Sequence, residues 1–339
     1  MNRLFILPVL FLTLLMGNPA FSADFQKGLD AYNKGDYATA LREWEPLAEQ
    51  GHAQAQHNLG VMYEKGQNVP RDYETAVKLY KLSAERGYAP AQFNLGVMYE
   101  KGLGVPQDYK TAAKWYKLAA ERGHAPAQTN LGFLYDKGLG VSQDYKTAEK
   151  WYKLAAEQGV ALAQFNLGVM YEKGLGVPQD YKTAAKWHTL AAEQGLARAQ
   201  HNLGVTYEKG HGVPQDYKTA FKWFKLAAEQ GLAPAQTNLG FMYEKGLGVP
   251  QDHKTAVKLY KLAAEQGLAA AQYKLGLMYA AGLGTLKDYI RAHIWWVIAA
   301  SQGNEEARKT RDFFEKRMTA TAKLRGRKLA KEWMAKHQK

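Results

Sequence analysis

Asn94-Leu95-Gly96-Val97-Met98-Tyr99-Glu100-Lys101-Gly102-Leu103-Gly104-Val105-Pro106-Gln107-Asp108-Tyr109 decides the fold, because the chain repeats it. Asn-Leu-Gly stands at Asn58, Asn94, Asn130, Asn166, Asn202 and Asn238, and Lys274-Leu275-Gly276 holds the seventh place. The period is 36 residues without insertion, so seven units run from 52 to 303. A fixed period of this length marks a repeat architecture in which each unit is one supersecondary element.

Residues 88–123 serve as the type unit. Pro90 is tolerated in the first turn of a helix. Gln92, Leu95, Gly96 and Tyr99 then fall at i, i+3, i+4 and i+7, which puts them on one helical face. Gly96 costs about 1 kcal/mol of helix propensity relative to alanine, so its return in every unit predicts a neighbouring helix too close for a side chain. Gly102 fits a left-handed C-terminal cap, and residues 103–107 form the turn. Asp108 is placed to cap a second helix that buries Ala112, Trp115, Tyr116 and Ala119 and stops at Gly123. In the first unit Asn68 stands where the others have the second turn glycine, and asparagine is the non-glycine residue best suited to a left-handed backbone. No such hairpin can bury its aromatic face alone, so the units must stack. The expected fold is all-α, a solenoid of stacked helical hairpins.

Outward from the repeats, 24–51 reads as a shortened unit, since Tyr32-Asn33-Lys34-Gly35-Asp36-Tyr37 matches Tyr63-Glu64-Lys65-Gly66 and Asp72-Tyr73 with five loop residues missing. Residues 1–23 read as a secretory signal peptide: Arg3, an apolar run from Leu4 to Met16, then a breaker and small residues. A cleavage site at Ala20-x-Ser22 fits best, with cleavage after Ala23 as a close rival. An uncleaved N-terminal anchor is the alternative, and nothing later is apolar enough to span a bilayer. Residues 304–339 have helical composition, no repeat signature, and 12 Lys and Arg against five acidic residues. Much of the formal net charge of +13 therefore belongs to this basic tail. It reads as a capping element with Leu324, Leu329 and Trp333 against the last hairpin. In a second reading Lys323, Arg325, Arg327, Lys328 and Lys331 meet an anionic component of the cell envelope.

These units resemble the Sel-1-like repeat family, a branch of the tetratricopeptide superfamily. The resemblance rests on Ala-x-Ala-Gln-x-Asn-Leu-Gly-x-Met-Tyr-Glu-Lys-Gly-Leu-Gly-Val-Pro-Gln-Asp-Tyr-Lys-Thr-Ala followed by Trp-Tyr-Lys-Leu-Ala-Ala-Glu-x-Gly. It implies a right-handed superhelix of antiparallel helix pairs that scaffolds complexes, and exported bacterial members are similar in acting at the envelope, in signalling or in host contact. A second stripe on each first helix lies away from the Leu95 and Tyr99 stripe and resembles the concave groove face of tetratricopeptide proteins. Its asparagines, Asn58, Asn94, Asn130, Asn166, Asn202 and Asn238, offer a donor and an acceptor per repeat, which suits recognition of a peptide backbone. The residue before each is the most changeable: His57, Phe93, Thr129, Phe165, His201, Thr237 and Tyr273. Val97, Phe133 and Phe241 supply apolar contacts beside them. The opposing reading has the asparagines fasten adjacent hairpins and the aromatics join the core.

Chemistry finds little support. The chain has no cysteine, which removes disulfides, thiolate nucleophiles and zinc–thiolate sites. Its nine histidines are scattered, with no His-Glu-x-x-His helix. Gly102-Leu103-Gly104 lacks the preceding strand and following Gly-Lys-Thr of a phosphate loop. Beyond the cleavage region the only serines are Ser83, Ser142 and Ser301, and none begins a Ser-x-x-Lys motif. The sequence therefore predicts an exported, periplasmic or secreted scaffold that binds protein or peptide segments, with no cofactor, metal, nucleic acid or catalysis. A secreted factor contacting a host or competitor surface, and a protein active on cell wall or β-lactam, are the alternatives.

Overall fold

The computed structural model describes residues 23–337. Residues 1–22, which carry nearly all of the expected leader, lie outside the described residues. The described chain forms 18 α-helices and no strand, divided into two compact units with the boundary after Arg122. The first contains the hairpins α1 (Phe25–Asn33) with α2 (Tyr37–Glu49), α3 (Ala53–Lys65) with α4 (Tyr73–Glu85), and α5 (Ala89–Lys101) with α6 (Tyr109–Glu121). The second contains α7 (Ala125–Lys137) with α8 (Tyr145–Glu157), α9 (Ala161–Lys173) with α10 (Tyr181–Glu193), and α11 (Ala197–Lys209) with α12 (Tyr217–Glu229). It continues through α13 (Ala233–Lys245) with α14 (His253–Glu265), α15 (Ala269–Ala281) with α16 (Tyr289–Ser301), then α17 (Glu305–Glu315) and α18 (Ala320–His337). Within each unit every hairpin packs on the next, as the 36-residue period requires.

The turn chemistry follows the sequence. Asp108 Oδ1 accepts the backbone N–H groups of Lys110 and Thr111 at 2.9 and 3.2 Å, and Thr111 Oγ1 donates to Oδ2 at 2.6 Å. Gly102 closes α5 at φ 68° and its N–H returns to the Met98 carbonyl. Asn68 takes φ 59°, the one positive φ outside glycine among the described residues.

The repeated first-helix glycine has a different cause from the one its pattern suggests. What crowds Gly96 is a side chain of its own hairpin: a Cβ there would stand 2.6 Å from the ring of Tyr116, which is fully buried. The same seat is filled by Tyr80, Tyr152, His188, Phe224 and Tyr260, and by Trp44 and Trp296 in the first and last hairpins. Trp44 in this seat makes 24–51 a hairpin of the same plan. Met98, absent from the predicted stripe, is fully buried, whereas Trp115 is half-buried.

A second ladder stitches consecutive hairpins. Buried Gln92 donates through Nε2 to the Ala84 carbonyl at 3.1 Å, and Gln164, Gln200 and Gln272 do the same one hairpin back. In the second unit the residue capping each second helix, such as Gln194 or Gln230, donates to the remaining oxygen of that glutamine at 2.8 Å. Arg86 and Arg122 occupy that capping place in the first unit, and the Gln56 and Gln92 oxygens are left without a partner.

The C-terminal helices cover the last hairpin. The outward face of earlier second helices reads Lys110, Lys114, Lys117 and Leu118, with Leu118 42% exposed. On α16 the same places hold Ile290, Ile294, Val297 and Ile298, and Ile298 is fully buried. Both α17 and α18 pack on α16. Gly326 lets α18 approach, since a Cβ there would collide with the imidazole of buried His293. His293 Nε2 meets Glu315 Oε1 at 2.6 Å, and Arg327 holds the other oxygen at 2.7 Å. Trp333 packs edge-on to Trp295 with centroids 5.4 Å apart, as a cap requires. Leu324 does not join it; it is 72% exposed, and Gly326 and Ala330 make the buried contact instead.

Candidate binding surface

The candidate residues all lie on first helices: His57 and Asn58 on α3, and Phe93, Asn94 and Val97 on α5 in the first unit. In the second unit Thr129, Asn130 and Phe133 lie on α7, Phe165 and Asn166 on α9, and His201 and Asn202 on α11. Thr237, Asn238 and Phe241 on α13 and Tyr273 on α15 complete the row. Nearly all are half-buried, which a stripe between core and solvent should be; Phe133 is exposed at 39% and Thr129 is buried.

The positions divide by what they touch. The residue before asparagine packs over the aromatic seat of its own hairpin: His57 on Tyr80, Phe93 on Tyr116, Phe165 on His188 and His201 on Phe224, each with centroids 5.7 Å apart. These rings are therefore in part hairpin core. Threonine at this place turns back to its own helix, Thr129 and Thr237 donating to the Ala125 and Ala233 carbonyls at 3.0 and 2.9 Å.

Two of the asparagine pairs fasten hairpins together. His57 Nδ1 lies 3.1 Å from Asn58 Oδ1, and its Nε2 lies 3.1 Å from Asn94 Nδ2 on the next first helix. The second unit repeats the arrangement, with His201 between Asn202 at 3.3 Å and Asn238 at 3.2 Å. A neutral imidazole with its proton on Nδ1 satisfies both bonds, donating to one amide oxygen and accepting from the other amide nitrogen. Burial holds the His201 pKa below the usual histidine range, which favours that neutral form. No histidine stands before Asn166, so this bridge is a local device and not a property of every rung.

The row is bordered by carboxylates. Tyr80 donates to Glu64 at 2.5 Å and Tyr260 to Glu244 at 2.6 Å, while Tyr116 pairs with Glu100. In the hairpin α11/α12 the seat is Phe224, which has no hydroxyl, and burial raises the Glu208 carboxyl above its ordinary range. In α7/α8 the carboxylate is the shorter Asp136, and the buried Tyr152 hydroxyl makes no hydrogen bond to it. Among the described residues no group of three or more His, Asp or Glu side chains is placed to hold a metal ion.

The aromatic seat over the recurrent glycine was missed as a determinant of the surface. Its signal was the pairing, in all seven full repeats, of this Gly with an aromatic or His 20 residues later, as in Gly96 and Tyr116.

Comparison with known proteins agrees with this architecture. The family model described as Sel1 repeat matches seven consecutive segments: 53–88, 89–124, 125–160, 161–196, 197–232, 233–268 and 269–304. A solved Sel1 repeat protein from Oxalobacter formigenes is similar at 35% identity and a TM-score of 0.66, over 71% of this chain and 96% of that one. A protective antigen of uropathogenic Escherichia coli strains, described as displaying an SLR fold, is similar at 31% identity and a TM-score of 0.53, over 92% of this chain and 84% of that one. No curated protein matches the sequence. With seven matched repeats spanning 53–304 and the same hairpin plan in each, the chain belongs to the Sel1 repeat family.

Proposed function

We propose that this protein is an exported scaffold that holds segments of other proteins against the first-helix face of its hairpins. Sel1 repeat proteins generally mediate protein–protein contacts, which is the starting point. The observation that carries the reading is the composition of that face. In the second unit the half-buried amides of Asn130, Asn166, Asn202 and Asn238 recur at one place, each beside an accessible apolar residue such as Phe133 or Phe241. The flanking side chains change from rung to rung, so the surface combines a constant polar element with variable apolar ones. Constant amides suit a peptide backbone, and variable neighbours suit selection of its side chains. Because Phe93 and Phe165 also pack on hairpin rings, the discriminating contacts fall to Val97, Phe133 and Phe241. The leader-like residues 1–23 support the exported part of this reading.

The test is affinity capture with the full chain beside a Val97→Asp, Phe133→Ser, Asn166→Ala variant of matching helicity by circular dichroism. A polypeptide retained by the first and lost by the second is the expected result. Equal capture by both would move the site off this face. A second reading, display outside the cell, draws on the similarity to a protective antigen. Cell fractionation separates the two: protein found in the periplasm alone would exclude surface display.

A further inference from the structure

The turn before α16 departs from the repeat in a directed way. Where four of the other six full units have Val-Pro-Gln, this one has Thr285-Leu286-Lys287, and Leu286 is 88% exposed. Two more exposed apolar residues stand at the same end of the last hairpin: Phe313 near the end of α17 at 52%, and Leu324 near the start of α18 at 72%. Three contacts bring these segments to one end. Tyr289 packs on Phe314 at 5.7 Å, Arg327 binds Glu315, and Arg325 and Leu329 line a crevice with Asp288, Ile290 and Arg291.

Cations surround the three apolar residues. Lys287 lies over the Tyr289 ring at 5.1 Å and Arg317 over the Phe313 ring at 3.9 Å. Arg325 and Lys328 are exposed on α18, and among the described residues none of these four makes a salt bridge. Of the acidic groups nearby, Asp288 is engaged by Arg291 at 3.3 Å, Asp312 by Arg311 at 2.6 Å, and Glu315 by His293 and Arg327, which leaves the exposed Glu332, one turn after Lys328, against the four cations. The local charge available to a partner is therefore positive.

From this juxtaposition we infer that the C-terminal end of the second unit docks on the surface of an anionic phospholipid bilayer. Free cations draw the end to acidic headgroups, and Leu286, Phe313 and Leu324 enter the headgroup boundary. A bilayer fits better than a folded protein because the apolar residues project singly from three elements, with no shared pocket for a partner's side chain. It fits better than a soluble polyanion because Leu286 and Leu324, 88% and 72% exposed, offer apolar surface that a polyanion makes no use of. No helix among the described residues is long and apolar enough to cross a membrane, so the contact is peripheral. This surface is separate from the first-helix face and leaves that face open to a protein partner.

The experiment is sedimentation of the full chain with vesicles of phosphatidylcholine alone, or of phosphatidylcholine and phosphatidylglycerol at equal amounts. Residues 1–22 are common to all variants, so the ratio between the two vesicle types reads the patch. Each cation near an anionic surface is worth roughly fivefold in partitioning, so Arg325→Glu with Lys328→Glu should lower that ratio by at least about 25-fold. Leu286→Ser with Leu324→Ser should lower binding to the anionic vesicles by at least about tenfold, with an unchanged melting temperature. The proposal is overturned if the chain binds both vesicle types equally. It is also overturned if either variant partitions like the parent. Dextran sulfate binding that matches vesicle binding and ignores the leucine substitutions would show charge attraction alone and would equally end it.

Discussion

Replacing Gly96 with alanine sets two physical effects against each other. In an isolated helix the substitution gains about 1 kcal/mol. Here the new Cβ would stand 2.6 Å from Cδ1 and Cε1 of Tyr116, where carbon atoms normally rest at about 3.5–4.0 Å. The ring has to retreat by about 1 Å. It has no room to do so, being fully buried, stacked under Phe93 and hydrogen-bonded to Glu100. Overpacking of a close-packed site costs about 1–3 kcal/mol, and a strained bond to a carboxylate adds about 1–2 kcal/mol. The net expectation is a loss of about 1–4 kcal/mol, opposite in sign to propensity. Repeat arrays need not unfold in one step, so the assay is native-state hydrogen exchange on the amides of α5 and α6. Exchange there should quicken by about 5- to 1,000-fold, and adding Tyr116→Leu should recover at least about 1 kcal/mol. Gly240→Ala is the milder control, its Cβ reaching only 2.9 Å from Tyr260. Unchanged or slowed exchange in Gly96→Ala would refute the role assigned to the ring.

Other outcomes follow from single features of the structure. Arg86→Gln should supply the donor that the buried Gln56 oxygen lacks and raise stability by about 1 kcal/mol, seen as a higher melting temperature. The Glu208 carboxyl titrates above its ordinary 4.5, so its folding contribution is most favourable below that pH and is lost as pH rises through the folded value. Glu208→Gln should therefore stabilise the protein at pH 7 and lose that advantage as the pH falls below 4.5, which melting curves across pH would show. Truncation after Thr319 uncovers Ile290, Ile294, Val297 and Ile298 and should cause aggregation. The same truncation carrying Ile290→Lys, Ile294→Lys and Val297→Lys restores the face of earlier hairpins and should stay monodisperse in light scattering.

The hairpins were legible because each carries its own punctuation. Asp108 and Gly102 fix the ends of two helices by local bonds, and such bonds travel with the sequence. Asn68 shows the same logic, since its left-handed backbone answers a demand of the turn alone. The candidate face was legible only as a stripe. Helical period places Phe93 and Asn94 beside each other, yet it does not reveal that Phe93 rests on Tyr116 while Asn94 reaches His57 one hairpin away. Those partners depend on how two helices meet, which a single-helix pattern does not contain. The cap was half-visible. Its basic residues drew attention, but the informative change lay on α16, where the lysines of the repeat become Ile290, Ile294 and Val297 and so announce a covering helix. Leu324 misled because an apolar residue on a helix is as compatible with an exposed patch as with a buried seam.

The central claim is that polypeptide partners lie along the first-helix face. Its most direct test is site-specific photocrosslinking in intact cells, with a benzophenone side chain placed in turn at Val97, Phe133 and Phe241, and at Leu118, Leu154 and Leu226 on the exposed faces of second helices. The account predicts one polypeptide adduct, identified by mass spectrometry, from the first set and none from the second. Adducts from the second-helix positions with none from Val97, Phe133 or Phe241 would contradict it.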